Sequence, residues 1–253
     1  MSVLCDDHGP VRVLTLNQPE ARNALNSDLI EGLYAAFCEA DADSSVRAVV
    51  LTGVDPAFCA GIDLKQAQRE GPAYFDHYRS HNCITRVAEM ATPVVGAING
   101  PVFTGGLEMA LGCDFLIASQ RAVFADTHAR VGILPGGGMT ARLPQLVGAA
   151  MARRLSMTGE VVDASRAERI GLVTEVVPHE QLLPRAVELA GQIAEVPAPI
   201  MAGLKEIYVA GSAAVTDPAL AAEQAISGAL SDTTDLGARY AEVSERNRRQ
   251  IRG

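Results

Sequence analysis

The sequence contains no tryptophan, and aromatic residues make up only 4% of its 253 positions. A stacking platform for single-stranded nucleic acid is therefore not expected. Positive charge is also short: 21 Lys and Arg stand against 30 Asp and Glu, for a formal net charge of −9. That balance offers no general attraction to nucleic acid or to an acidic membrane surface. No apolar run reaches the roughly 18 to 20 residues that span a bilayer, so no membrane insertion is expected. Met1 to Asp7 carries no basic segment leading into an apolar one. The five cysteines form no C-x-x-C pair and share no His-rich spacing. A disulfide framework and a bound metal are not expected, whereas a reducing, cytoplasmic setting is.

What is present is a large apolar fraction, 48%, enough for one large α/β domain or one domain with an appendage. The first half alternates β-branched runs with helical stretches, the pattern of β-α-β crossovers and a largely parallel sheet. Val11–Leu16, Arg47–Thr52, Pro93–Ile98 and Asp114–Ala118 read as strands. Ser27–Ala40 reads as a helix, with Leu29, Ile30, Leu33, Ala36 and Phe37 on one face. Tyr74–Met90 reads as the next. The second half becomes helical after a strand at Leu172–Val177. Glu180–Ala194, Ala198–Ala210, Pro218–Leu230 and Asp235–Gln250 are the expected helices, separated by Pro- or Gly-containing breaks. The small residues around Ala210–Ala225 suit close packing against a neighbour, which in an oligomer is another subunit.

Three glycine-containing segments carry functional side chains just after expected strands, where α/β folds place their sites. In the middle one, Gly105-Gly106 opens the apolar helix Leu107–Leu111, ended by Gly112. An amide at a helix N-terminus is left unsatisfied by the helix, and the absence of a Cβ lets a ligand approach. Such a site favours developing negative charge. Glu108 follows one turn later and can act there as a base, or it can simply favour the positive end of its helix. The segment Ala57–Lys65 turns at Ala60-Gly61 and can bring a second amide to the same ligand. Asp63 then reads as a helix cap, Lys65 as a phosphate contact or a solvated charge, and Cys59 as a small buried hydrophobe.

The third segment, Phe124–Leu143, includes Gly136-Gly137-Gly138-Met139-Thr140-Ala141, which fits a dinucleotide pattern. Pro135 directly precedes it and the run Val131–Leu134 is short and broken by Gly132, so no nicotinamide or flavin site is expected. Patterns for a P-loop, a zinc protease or a serine hydrolase are absent. The arginines Arg246, Arg248, Arg249 and Arg252 complement a helix C-terminus or lie near a phosphate-bearing ligand.

Taken in order, these segments resemble the crotonase superfamily of enoyl-CoA hydratases and isomerases. Asn17-Gln18-Pro19 through Arg22-Asn23-Ala24-Leu25-Asn26 resembles the pattern N-x-P-x-x-x-N-A-x-N. Ala57 through Lys65 is similar to A-F-C-A-G-x-D-L-K. Pro93 through Asp114 resembles P-V-I-A-A-x-x-G-x-x-x-G-G-G-x-E-L-A-x-x-C-D, and Gly132 to Leu143 resembles L-G-x-x-P-G-x-G-x-T-x-R-L. Thr158-Gly159 and Gly171-Leu172-Val173 complete a resemblance that covers most of the chain.

The resemblance implies an α/β crotonase (ClpP/crotonase-like) fold of repeated ββα units, with a core at 1–195 and a helical region at 196–253 that serves oligomerisation and covers the CoA pocket. A homotrimer or a dimer of trimers is implied, with an acyl-CoA substrate and no separate cofactor. The backbone amides of Ile62 and Gly105 would form the oxyanion hole. Ala60, Asp63 and Lys65 would border CoA, and the backbone of Gly136 would help hold the water. Glu108 takes the place of the first catalytic glutamate of the hydratases, while His128 stands where the second would be. Histidine can take or give a proton near neutral pH, so hydration of a 2-enoyl-CoA remains chemically open to this chain. The alternative is a Δ3,Δ2-isomerase or another acyl-CoA lyase that uses Glu108 alone. A non-catalytic acyl-CoA-binding relative is the third reading, including the RNA-binding use of some crotonase relatives. Asp126, two residues before His128, is a weaker catalytic candidate that would share its face in an extended segment.

Overall fold

A computed structural model describes residues 1–229 and 236–252. Its main sheet has six strands: β1 (Val3–His8), β2 (Val11–Leu16), β3 (Ala48–Gly53), β4 (Val94–Ile98), β6 (Phe115–Ser119) and β9 (Glu175–Val177). The spatial order is β1-β2-β3-β4-β6-β9, and only the β1–β2 pair is antiparallel. A second sheet joins three short strands, β5 (Val102–Phe103), β7 (Val123–Ala125) and β8 (Val162–Asp163), in the order β5-β7-β8. The helices of the first half are α1 (Ser27–Ala42), α2 (Leu64–Glu70), α3 (Pro72–Ser80), α4 (Cys83–Glu89), α5 (Gly105–Leu111) and α6 (His128–Val131). The ββα repeat is visible in β1-β2-α1, β4-β5-α5 and β6-β7-α6.

Strand β3 is buried at every position because both faces of the sheet are covered. The period of two sorts its side chains. Val49 and Leu51 join Leu14, Leu16, Leu29, Leu33 and Phe37 on one side. Ala48 and Val50 join Val11, Val13 and the helix α10 (Leu182–Glu195), through Leu182, Ala186 and Ala190, on the other. Helices α7 (Met139–Val147), α8 (Ala149–Thr158) and α9 (Ala164–Arg169) lie between β7 and β9 in the chain. The long α11 (Ala198–Ala229) and α12 (Leu236–Arg252) follow α10.

The four strands expected in the first half are present within a residue at each end, and the helix expected at Ser27–Ala40 starts at Ser27 and runs two residues further, to Ala42. Tyr74–Met90 is two helices rather than one. Asn82 accepts a hydrogen bond from Thr85 N at 3.2 Å, so it starts α4 as a cap instead of continuing α3. The break expected between Ala210 and Pro218 does not occur. Pro218 lies inside α11, where it removes one backbone donor, and the surrounding alanines keep the remaining helical bonds favourable. The expected boundaries Leu230 and Asp235 lie outside the described residues. Among the described residues no helix is long and apolar enough to cross a membrane.

Candidate active site

The turn after β3 is braced from three directions. Asn23 Nδ2 donates to Val54 O at 2.9 Å and to Ala57 O at 2.7 Å, and Asn99 Nδ2 donates to Asp55 Oδ1 at 3.0 Å. His179 Nε2 bonds Asp55 Oδ2 at 2.9 Å, while its Nδ1 meets Ser119 Oγ at 2.9 Å. This Ser, His and Asp set is not a hydrolase triad. Ser119 is fully buried and its Oγ already accepts from Arg121 N. The set fixes the root of the loop that leads to Ala60.

Beyond that root, Leu25 N donates to Gly61 O at 2.8 Å and Asp63 N to Leu25 O at 3.1 Å. In such a parallel bridge the residue between the two partners, Ile62, turns its own amide away from Leu25. Gly105 begins α5, so its amide has no partner four residues back. A Cβ built on Gly105 would stand 3.9 Å from Ile62 N, which places the two segments side by side. Both residues line a cavity of about 650 Å³ with Glu108 and His128. The turn into α5 is tight. Thr104, standing where the family pattern has the first of three glycines, has φ 46° and ψ −120°, a conformation costly for a β-branched side chain. Gly61 has φ +96°, and any side chain there would overlap Thr104 Oγ1.

Glu108 is buried. Its Oε1 accepts from Gly137 N at 2.8 Å and Met139 N at 3.2 Å, leaving Oε2 facing His128 Nε2 at 3.6 Å. That separation is longer than a direct hydrogen bond and keeps both atoms available to a ligand. Burial raises the Glu108 pKa above the ordinary carboxylate value, opposed by the neighbouring His128 and reinforced by Glu223. His128 is buried too. Burial alone would lower its pKa, but the carboxylates of Glu108 and Asp126 outweigh that and raise it. Asp126 Oδ1 accepts from His128 Nδ1 at 2.7 Å and from the His128 amide at 3.2 Å. The Asp126 pKa is lowered: burial works against this, and the bond from His128 prevails. With Nδ1 held by Asp126, Nε2 is the nitrogen presented to Glu108. The weaker catalytic candidate of the sequence thus touches the histidine.

Two carboxylates share the N-terminus of α7. Glu108 takes the amides of Gly137 and Met139, whereas Glu223 of α11 accepts from Gly138 N at 2.6 Å, Thr140 N at 2.7 Å and Thr140 Oγ1 at 2.6 Å. Arg142 Nη1 donates to Gly137 O at 2.7 Å and so ties this loop to its own helix. Gly137 permits the approach, because a Cβ there would lie 3.0 Å from Glu108 Oε2. Sequence reasoning assigned a backbone role to Gly136, which lines the cavity, and missed Gly137, Glu223 and Arg142. Thr140 and Arg142 stood in the fourth family motif, but Glu223 had no local signal.

The other expected residues divide. Ala60 lines a narrower cleft of about 70 Å³, together with Leu64, Thr104 and the α12 residues Tyr240, Asn247 and Arg248. Ile62, Thr104 and Ile133 line both spaces, so the two adjoin. Asp63 and Lys65 line neither. Asp63 Oδ1 caps α2 by accepting from Lys65 N and Gln66 N, each at 3.0 Å, and Lys65 is exposed. Cys59 is buried and burial pushes its thiol up to about 12, which suits a core residue and not a nucleophile. Of the C-terminal arginines, Arg246 donates to Thr158 O and Gly159 O at the end of α8, and Arg248 lies at the narrow cleft. The Arg252 side chain is outside the described set.

The parallel sheet with its ββα repeats is a crotonase fold, and its main cavity holds a buried carboxylate beside a buried imidazole. The chain belongs to the enoyl-CoA hydratase/isomerase family, whose sequence profile matches residues 6–247. It is 41% identical over 205 residues to a probable enoyl-CoA hydratase of Rhizobium meliloti, covering 79% of either chain. It is 37% identical over 240 residues to the short-chain-enoyl-CoA hydratase of Clostridium acetobutylicum, covering 92% of this chain and 91% of that one. The crystal structure of an enoyl-CoA hydratase from Mycobacterium tuberculosis H37Rv superposes with a TM-score of 0.82 at 44% identity, over 91% of this chain and 99% of its own.

Proposed function

We propose that the protein hydrates 2-enoyl-CoA thioesters, with Glu108 and His128 as the proton-carrying pair. The observation that carries this reading is the approach of Glu108 Oε2 to His128 Nε2 in the cavity that Ile62 and Gly105 also line. The thioester oxygen accepts from the amides of Ile62 and Gly105, so charge that leaves the double bond is stabilised there as an enolate. Glu108 takes a proton from water as the water oxygen bonds to Cβ. His128, as imidazolium, gives a proton to Cα. Transfer of the proton from Glu108 to His128 restores both groups, and the sum is one water added across one double bond. Asp126 is a positioning residue that holds the His128 ring and favours its charged form.

Isomerisation of a 3-enoyl-CoA needs only one base, so it is the competing reading. Hydration of crotonyl-CoA, followed as loss of the conjugated thioester absorbance, is the expected activity. Migration of the double bond in a 3-enoyl-CoA without any hydration of crotonyl-CoA would overturn the assignment.

The region 196–253 is assigned two roles. It covers the acyl-CoA site, since Gln224 and Ser227 of α11 line the main cavity and α12 walls the narrow cleft where Ala60 and, beside it, Asp63 and Lys65 would meet the CoA moiety. It also carries subunit contacts, because α11 exposes Ile200, Ile207, Tyr208 and Val215 to solvent in the isolated chain. A homotrimer or dimer of trimers is expected. A monomer mass by light scattering at micromolar protein would exclude it. The five unpaired cysteines suit a cytoplasmic enzyme.

A further inference from the structure

Away from the cavity, α1 and α3 bring together two imidazoles and a carboxylate. Glu31 of α1, His77 of α3 and His81 just past the end of α3 each offer a ligand atom, and these atoms lie within 4.8 Å of one another. We propose that Glu31, His77 and His81 bind a divalent transition-metal ion of the zinc class and that the ion staples α3 to α1. The donor set is two nitrogens and one oxygen, the set that zinc accepts in three-ligand sites with a fourth position open. Calcium and magnesium prefer oxygen alone and are not favoured here.

The geometry is close to what such an ion requires. Two ligands about 2.0–2.1 Å from zinc at the tetrahedral angle stand about 3.3 Å apart. His77 Nε2 and Glu31 Oε1 are 3.6 Å apart. The His77 Nε2 atom is buried and has no hydrogen-bond partner, which is uncommon for a polar atom removed from water. A metal ion would satisfy it. The His77 and His81 rings are 5.1 Å apart at a tilt of 32°, and Ser80 Oγ contacts His81 Nδ1 at 3.0 Å, which leaves the other His81 nitrogen for the ion. Tyr34 of α1 packs edge-on against His81 with ring centroids 5.6 Å apart.

The position gives the ion a consequence for the active site. Phe75, Tyr78 and Arg79 of α3 line the main cavity. His77 lies on the far side of that helix from them. An ion at His77 therefore fixes one wall of the acyl cavity without touching it. This second statement rests on the proposed acyl-CoA reading, whereas binding itself does not.

Titration of the full chain with zinc chloride in chelator-free buffer, read by calorimetry, tests the site. One ion per chain is expected, with a dissociation constant on the order of micromolar. His77→Ala and His81→Ala should each weaken binding by about 10-fold or more, and the exposed Glu31→Gln by somewhat less, with far-UV circular dichroism unchanged. His8→Ala, which removes the exposed His8–Asp6 pair, should leave it intact. Equal binding by wild type and the His77→Ala/His81→Ala double variant overturns the site, as does the absence of heat at millimolar zinc. Zinc should also shift KM for a 2-enoyl-CoA in the wild type but not in the His77→Ala/His81→Ala double variant. Binding with an unchanged KM overturns the link to the cavity.

Discussion

Glu108→Gln should lower kcat for hydration of a 2-enoyl-CoA by about 10³-fold, within the range of about 10² to 10⁴ that a positioned proton-transfer group contributes. Glutamine keeps an acceptor oxygen for Gly137 N and Met139 N, so the loop at the start of α7 retains its hydrogen bonds. It has no charge and cannot take a proton from water. The amides of Ile62 and Gly105 are untouched, so KM should change by no more than about threefold and the loss should fall on the chemical step. Steady-state rates with crotonyl-CoA measure this directly. Full activity in Glu108→Gln on every thioester processed would falsify the role given to Glu108.

The second large effect concerns His128. His128→Gln should lower kcat by about 10² to 10³-fold, because the group that supplies a proton at Cα is lost while a hydrogen-bonding side chain remains. If the protein were an isomerase working through Glu108 alone, the same substitution would leave double-bond migration nearly intact. Asp126→Asn separates positioning from proton transfer through the pH profile. Hydration needs Glu108 ionised and His128 protonated, so activity falls at low pH as Glu108 gains a proton and at high pH as His128 loses one. The pKa of each is raised in the protein, which places both limbs above the ordinary carboxylate and imidazole values. The two apparent values belong to the pair and not to either residue. Removing the Asp126 charge takes away one cause of the raised His128 pKa. The alkaline limb of kcat/KM should therefore move to lower pH in Asp126→Asn. A uniform loss of rate with an unmoved alkaline limb would reduce Asp126 to a structural residue.

Much of this site was legible before any fold was known. Gly105 and Glu108 could be placed because they follow a short apolar strand at a glycine turn, and the turn at Ala60-Gly61 was visible as the same kind of local pattern, whereas Ile62 itself was singled out only by the family resemblance. The two-way split of α3 and α4 was less visible, since Tyr74–Met90 keeps helical spacing across Asn82 and only the cap that Asn82 makes to Thr85 N shows the break. Asp126 was noticed for sharing a face with His128. Its role as the partner of Nδ1 depends on the start of α6, where the chain leaves the extended conformation. Glu223 could not have been found, because it reaches Gly138 across 85 residues of chain and sits in a helix whose neighbours are mostly small and apolar. His77 and His81 stand one helical turn apart in the sequence, yet the carboxylate that completes the group comes from another helix.

The sequence by itself determined the strands and the glycine turns, because these follow from side-chain period and backbone freedom over a few residues. Only the tertiary structure decided which charged groups face one another: Glu108 with His128, His128 with Asp126, and Glu223 with the start of α7. Those pairings hold because burial makes each group costly without a partner, and the partner is set by how distant segments pack.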